Sequence, residues 1–309
     1  MGSGAREVRP AARVRLSYDR GALIQSRNRA TRRPSVCPIA IGCGIAIALL
    51  LTVSSGLAQE GDGDSAPPSV QFTLPIEFDF DHGAANGNAV IGRFLPVVVF
   101  DLGKQWKLIN LTLAAFADAP GGIPGQPGNP EPIPGPRVVG LMDWTNVVFF
   151  TPPSKSSKLV WGIGPAFTLP IATDEALGSG KWSAGPALRI AYRPGKWNLG
   201  LVAANLRSYT GSPDRADIHQ LLLRGLIRRQ FGDRWYFTYN PIVTANWNAA
   251  SGQRWLVPVG GGFGRSFDVG SKRLAASLHY YANVVRPDGA PAGAVRIAFV
   301  IPVPKAFQR

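Results

Sequence analysis

The sequence predicts an all-β protein: an antiparallel transmembrane β-barrel of about twelve strands, preceded by an N-terminal signal peptide. Beyond residue 70, apolar and polar residues alternate instead of recurring at helical spacing. The alternating segments are about ten to thirteen residues long, close to the ~9–11 that a tilted strand needs to cross a membrane. Short and long connections also take turns along the chain, as periplasmic turns and outer loops do in bacterial barrels.

Residues 1–58 are predicted to be an N-terminal extension and a signal peptide. The apolar run 38–58 follows two arginines and ends in small residues, so we expect cleavage after Ala58. An uncleaved membrane anchor is the alternative, because the run approaches the ~20 residues of a spanning helix. Residues 59–69 are expected to form a disordered polar linker, and residues 70–309 the barrel.

The cysteines and the charge narrow the class of protein further. Both cysteines, Cys37 and Cys43, lie within the predicted signal, so the exported chain would contain no disulfide. The chain of 309 residues has a formal net charge of +14, but nine of its arginines precede residue 59. The remaining charge is spread thinly, without basic runs interleaved with aromatic residues, and this argues against nucleic-acid binding.

The individual strands follow from the alternation. They are predicted over residues 70–79, 89–100, 105–116, 138–150, 158–169, 182–192, 197–208, 218–231, 235–247, 255–267, 274–284 and 294–301. In two of them an aromatic residue stands at each end of one face: Trp182 with Tyr192, and Trp235 with Trp247. Together with Trp255 these residues are predicted to form an aromatic girdle.

The separation of the end aromatics tests the membrane interpretation. Ten residue steps of ~3.3 Å at a tilt of ~40° span about 25 Å, which matches the apolar band of an outer-membrane barrel. A secreted soluble β-sandwich is the alternative, but it has no reason to place aromatics at both ends of a strand.

Six prolines fall inside predicted strands, where each removes one ladder hydrogen bond. They are Pro75, Pro96, Pro165, Pro186, Pro241 and Pro258. The pairs Gly164-Pro165 and Gly185-Pro186 are interpreted as β-bulges.

Several longer motifs resemble those of a known family. They are GLMDWTNVVFFTPP (140–153), WGIGPAFTLPIATDEALGSGKWSAGPALRIAYRPGKWNLG (161–200), NPIVTANWNA (240–249), VPVGGGFGRSF (257–267) and YYANVVRP (280–287). Together they are similar to the meta-pathway phenol-degradation-like (MetA-type) transporters of bacteria. The resemblance implies an outer-membrane β-barrel that passes hydrophobic or aromatic small molecules.

No catalytic, cofactor-binding or metal site is recognisable in the sequence, so an enzyme is not expected. The three histidines are far apart, and Gly178-Ser179-Gly180-Lys181 lacks the remaining residues of a phosphate-binding loop. Ser277 and His279 share one face of a strand and are the nearest approach to a nucleophile and base. Their ~6.6 Å separation along the strand predicts no hydrogen bond between them.

A set of polar residues is predicted to face the barrel interior. The candidates for lining the lumen are Arg93, Arg189, Arg224, Arg228, Arg296, Asn240 and His279. One interpretation is that the arginines line a water-filled passage and favour anionic or polarisable solutes. The other is that they pair with Glu77, Asp79 or Asp143 and hold the interior together.

The leading functional hypothesis is a passive channel in the bacterial outer membrane for small, hydrophobic or aromatic compounds. Its selectivity would be set by lumen residues and by the connection 118–136. The alternative is a closed barrel with a structural or surface-interaction role through its loops. Expected partners are outer-membrane lipid, a small-molecule solute and the barrel-assembly machinery, with no cofactor.

Overall fold

A computed structural model describes residues 70–102, 106–123, 135–153, 158–270 and 272–302. All of them belong to one compact unit, Asp62–Arg309. The predicted signal peptide and its cleavage site, and the predicted linker 59–69, lie outside the described residues and stay predictions.

The described residues form fifteen β-segments. These are β1 Val70–His82, β2 Val90–Phe94, β3 Val97–Leu102, β4 Trp106–Pro120, β5 Arg137–Leu141, β6 Trp144–Thr151, β7 Leu159–Leu169, β8 Lys181–Tyr192, β9 Trp197–Gly211, β10 His219–Phe231, β11 Trp235–Tyr239, β12 Ile242–Asn246, β13 Trp255–Val269, β14 Lys272–Val285 and β15 Gly293–Pro302. Three pairs of segments, β2/β3, β5/β6 and β11/β12, are halves of one interrupted strand, because both halves pair with the same neighbour. The result is twelve strands.

The sheet closes on itself. Each strand pairs antiparallel with the next along the chain, and β1 pairs with β15 from Thr73↔Pro302 to His82↔Gly293. The predicted twelve-strand antiparallel barrel is therefore confirmed. The described residues include one 3-10 helix, Glu175–Leu177, and no helix among them has the length and apolar character needed to cross a membrane.

Alternation along each strand separates an inner from an outer face. In β8, Ser183 is 1% and Ala191 7% exposed, whereas Tyr192 is 43% exposed. The odd residues of β8 thus point inward, and its aromatic ends point outward, as the sequence predicts. The connections 83–89, 170–180, 212–218, 247–254 and 286–292, together with residues 121–123 and 135–136, share one end of the barrel, which is called the long-loop end.

The in-strand prolines have three different environments. Pro96 and Pro241 lie in strand interruptions, where no ladder hydrogen bond is required. Pro258 lies at a register shift in the β13–β14 pairing. Pro165 and Pro186 are direct cross-strand partners, so the two backbone N–H groups that proline lacks are missing at the same position of the β7–β8 pairing.

The bulges predicted at Gly164-Pro165 and Gly185-Pro186 are wrong. The β7–β8 register runs unshifted past both pairs, and in β8 the shift lies between Trp182 and Ser183 instead. A Cβ on Gly164 would collide with the carbonyl oxygen of Val148, so this glycine permits a close backbone approach rather than an extra residue.

The barrel interior is divided into an apolar and a polar side. Buried Ile109, Val147, Phe149, Ala187 and Leu206 form a hydrophobic cluster on strands β4 and β6 to β9. Three buried charged residues, Glu77, Asp79 and Arg296, lie on strands β1 and β15, whereas buried Lys181 lies at the start of β8. The lumen therefore has both an apolar and a charged wall.

Candidate functional site

A cavity of about 250 Å³ lies inside the barrel, between the connection 170–180 and a cluster of charged side chains. Its walls are largely apolar, with Ile91, Leu111, Val147, Val202, Leu222 and Ile242 among the lining residues. For comparison, an engineered apolar cavity of ~150 Å³ binds benzene. The cavity therefore has room for a small organic molecule.

The roof of the cavity is the connection 170–180, which folds into the mouth of the barrel. Leu177 at the end of the 3-10 helix is 4% exposed and packs against Ile91, Ile123 and Met142. Ala176, Leu177, Gly178 and Ser179 line the cavity. Of the connection 118–136, which is predicted to set selectivity, Ile123 also lines the cavity, and residues 124–134 lie outside the described part.

Asp143 anchors this roof. It sits in the interruption between β5 and β6, and its carboxylate accepts hydrogen bonds from Ala172 N (3.2 Å), Ser179 N (2.7 Å) and Ser179 Oγ (2.6 Å). The interpretation of Asp143 as a partner for an inward arginine is wrong. Because the strand is interrupted at Asp143, its side chain can bind the connection 170–180 instead.

Arg215 holds the roof from its other side. Its guanidinium donates to the carbonyl oxygens of Glu175 (2.9 Å), Gly178 and Ser179 (3.4 Å). The sequence does not single out Arg215, because an arginine in a polar connection carries no signal that distinguishes it from a solvated surface residue.

The floor of the cavity is an ion-pair cluster centred on Arg296 and Asp79, direct cross-strand partners on β15 and β1. Arg296 binds Asp79 in bidentate fashion, with Nε to Oδ1 at 2.6 Å and Nη2 to Oδ2 at 2.9 Å. Arg93 on β2 donates to the same carboxylate. Because Arg296 is 4% and Asp79 4% exposed, this pair lies in the interior.

A second pair crosses the lumen. Arg224 on β10 donates through Nη2 to Oε1 of Glu77 on β1. Counted round the barrel, β10 and β1 are five strands apart in a ring of twelve, so they lie on nearly opposite walls. The Glu77–Arg224 pair therefore obstructs the passage between the cavity and the other end of the barrel.

Asn240 connects these pairs to the aromatic side of the cluster. In the interruption between β11 and β12, its amide donates to Glu77 Oε1 (3.3 Å), and its backbone carbonyl accepts from Arg296 (3.0 Å). The Tyr281 hydroxyl donates to Asn240 Oδ1 at 2.9 Å. The strand break thus frees the backbone carbonyl and N–H of Asn240, which a continuous strand would use in its ladder, to bind Arg296 and Tyr281.

The sequence predicts no hydrogen bond between Ser277 and His279, and this prediction is wrong. Ser277 Oγ lies 2.8 Å from His279 Nε2, and His279 Nδ1 lies 3.0 Å from the Tyr281 hydroxyl. The ~6.6 Å estimate measures backbone separation along the strand, and the two side chains lean together to close it. The histidine is 2% exposed, and its other ring nitrogen faces a tyrosine rather than a carboxylate.

The remaining predicted lumen arginines have no carboxylate partner among the described residues. Arg189 on β8 has a buried Nη1 without a hydrogen-bond partner. Arg228 on β10 lies with its guanidinium carbon 3.6 Å from the centre of the Tyr236 ring. The pairing interpretation thus holds for Arg93, Arg224 and Arg296, and not for these two.

The predicted girdle residues lie on the outer face. Trp235 is 48% exposed, and Trp247 and Trp255 contact each other edge to face with ring centroids 5.6 Å apart. Trp247 also donates its indole N–H to Asn205 at 3.0 Å. Their position at a membrane boundary stays a prediction.

Replacing Asp143 with Ala is expected to release the roof. Three hydrogen bonds to an ionised group are lost, each worth ~1.5–3 kcal/mol. We expect faster thermolysin cleavage within residues 170–180, read as fragment masses over time. Asp214→Ala, in the neighbouring connection, is the control and should leave the cleavage rate unchanged; equal rates for all three proteins would contradict the anchoring role.

The comparisons with solved structures concern the fold. The barrel is similar to an outer membrane channel from Pseudomonas putida F1, with a TM-score of 0.50 and 14% identity over 79% of this chain and 99% of that chain. It is also similar to the NanC porin (TM-score 0.46, 10% identity, 74% and 100% of the two chains) and to the CymD monoaromatic hydrocarbon channel (0.39, 10%, 76% and 88%). No protein-family model and no curated protein sequence matches this chain.

Proposed function

We propose that this protein is a channel of the bacterial outer membrane through which small molecules pass. The observation that carries the proposal is the cavity within the lumen, bounded by a folded-in connection on one side and by a floor of ion pairs on the other. A cavity between two obstructions on one path is the arrangement expected of an occluded passage. The similarity of the fold to that of a Pseudomonas outer membrane channel supports the same interpretation.

The outer face supports a membrane location. Large apolar side chains stand exposed all round the barrel, among them Ile163 (54%), Phe263 (60%) and Leu278 (59%). Soluble monomers rarely expose contiguous apolar patches above a few hundred Å². Lipid is the partner that would cover this surface, and export through a signal peptide followed by the barrel-assembly machinery would bring the chain there.

The solute is proposed to be small and largely apolar. The lining of Ile91, Leu111, Val147, Val202 and Leu222 gives a hydrophobic or aromatic molecule favourable contacts. This agrees with the MetA-type transporters that the sequence resembles. We propose no enzymatic activity, since among the described residues the ring nitrogens of His279 bind Ser277 and Tyr281 rather than a carboxylate that would orient a catalytic base.

A closed barrel with a structural role is the second candidate, and the obstruction by Glu77 and Arg224 is the observation that favours it. Planar-bilayer recording distinguishes the two functions. We expect discrete ion-conducting events from purified barrel and swelling of barrel-containing liposomes in small sugars or amino acids. Neither conductance nor swelling, from protein shown to be folded by heat-modifiable gel migration, would support the closed barrel.

A further inference from the structure

Three arginines and three aspartates line the cavity: Arg93, Arg224 and Arg296, with Asp79, Asp81 and Asp143. The arginines form ion pairs with the carboxylates of Glu77 and Asp79. An apolar solute gains nothing from a guanidinium. An arginine with an unused donor at the cavity wall would therefore point to a polar feature of the solute itself.

Arg224 is the residue of the ion-pair cluster that lines the cavity and has an unused hydrogen-bond donor. It lines the cavity, whereas Glu77 behind it is 1% exposed. Nη2 of Arg224 donates to Glu77, but its buried Nη1 has no hydrogen-bond partner among the residues that the structure describes. A buried donor without a partner is unfavourable, so a second acceptor at this point would be stabilising.

Glu77 does not depend on Arg224 alone. Arg296 Nη1 lies 3.4 Å from Glu77 Oε2, and Asn240 Nδ2 lies 3.3 Å from Oε1. If Arg224 turned away, Glu77 would keep one cation and one hydrogen bond. Arg224 could therefore change its partner without leaving an isolated buried charge on Glu77, which would carry a large penalty.

We propose that the cavity binds small apolar molecules that carry one carboxylate, and that this carboxylate replaces Glu77 as the partner of Arg224. The proposal names the solute class of the proposed channel and rests on that function for transport, but not for binding. The apolar walls receive the hydrocarbon part. Arginine suits the other part, because its planar fork binds a carboxylate through two parallel hydrogen bonds.

The exchange also opens the floor. Glu77–Arg224 crosses the lumen, so a solute that takes Arg224 separates the two walls that the pair joins. Arg189 lies on the same rung of the sheet, since Val202 pairs with Arg189 on one side and Arg224 on the other. Two strand spacings, ~10 Å, separate these arginines. Arg189, with its own unpartnered Nη1, is the next anion site along the wall.

The acidic residues at the cavity determine the orientation of the solute. Asp79 already forms ion pairs with two arginines, and Asp143 already accepts hydrogen bonds from the connection 170–180. Asp81 also lines the cavity, two residues from Asp79 toward the long-loop end. Asp81 on β1 repels a solute carboxylate, whereas Arg224 on β10 attracts it, so the carboxylate would lie on the Arg224 side of the cavity.

Three probes with the same ring and different charge test the proposal. Isothermal titration calorimetry of the detergent-solubilised full chain at pH 7 would compare benzoate, benzyl alcohol and benzylamine. We expect benzoate to bind about tenfold or more tightly than benzyl alcohol, the ratio that a hydrogen bond to a charged group of ~1.5–3 kcal/mol supplies. Benzylamine should bind most weakly.

Two variants should change benzoate affinity in opposite directions. Arg224→Gln removes the proposed site and should weaken benzoate about tenfold or more, with benzyl alcohol unaffected. Glu77→Gln removes the internal competitor and should strengthen benzoate binding. Arg234→Gln is the matched control, because Arg234 is an exposed arginine paired with Asp268 at the opposite end of the barrel.

Equal affinity for the three probes, a preference for benzylamine, or a shift in the same direction in both variants would overturn the proposal. If Arg224→Gln fails to fold, Glu77→Gln alone decides, since a merely structural role for Glu77 predicts no gain in affinity. Bilayer conductance separates the two proposals. A conducting barrel without benzoate preference refutes only the solute class, whereas a non-conducting barrel that binds benzoate as expected refutes only the channel.

Discussion

Replacing Arg296 with Gln is expected to lower the free energy of unfolding of the barrel by about 3–5 kcal/mol, the cost of removing one partner of a buried ion pair. Arg296 is the shared cation of Asp79 and Glu77, and it also donates to the backbone carbonyl of Asn240 at 3.0 Å. Its loss leaves each carboxylate with a single arginine in a site that water hardly reaches. Since Arg296 and Asp79 join β15 to β1, the variant weakens the closure of the barrel.

Urea unfolding in lipid vesicles, followed by tryptophan fluorescence and by heat-modifiable gel migration, would measure this effect. Arg296→Lys should give an intermediate loss, because it keeps the charge without the bidentate geometry. Arg273→Gln is the control: its ion pair with Asp268 is exposed to solvent, which screens it, so its loss should change stability little. A similar loss for Arg273→Gln and Arg296→Gln would mean that the buried cluster has no special role in stability.

The double replacement Glu77→Ala with Arg224→Ala is expected to raise the single-channel conductance several-fold. The pair joins nearly opposite walls, and truncating both side chains removes the obstruction while leaving the net interior charge unchanged. Removing both charges together also avoids an orphaned ion, so we expect the barrel to fold. Planar-bilayer recordings at fixed salt would give the conductance of single openings.

A matched double replacement at the rim, Arg234→Ala with Asp268→Ala, removes an ion pair of the same kind outside the lumen. It should leave the conductance unchanged. If the Glu77 and Arg224 double variant conducts like the parent barrel while remaining folded, the lumen is limited elsewhere, for example by the roof at residues 170–180.

The strands could be predicted from the sequence because a barrel wall has one repeating local rule. A residue pointing inward must be followed by one pointing outward, and the period of two is visible without knowledge of the neighbours. The predicted strand 182–192 and the observed Lys181–Tyr192 differ by one residue at one end. The predicted strands 89–100 and 235–247 are interrupted at Pro96 and Pro241, and proline alone does not indicate this, because Pro165 and Pro186 lie in continuous strands.

The site was predicted only in part, because it depends on contacts between distant strands. Arg224 and Glu77 are 147 residues apart in sequence, and nothing local to either residue indicates the other. The anchoring role of Asp143 depends on a connection that folds back into the barrel. Ser277 and His279 are two residues apart, yet only the direction of their side chains decided that they touch.

The sequence by itself determined the period-two alternation, the number of strands and the face on which each inward arginine lies, because these follow from geometry within one strand. The tertiary structure alone decided which arginines are neutralised, where the cavity closes and which donors stay unused. These features depend on the closure of the barrel, which places side chains of β1, β10 and β15 in the same interior. Whether a charged side chain inside the barrel is paired depends on the residues across the lumen. The sequence of a single strand does not give the distance to those residues.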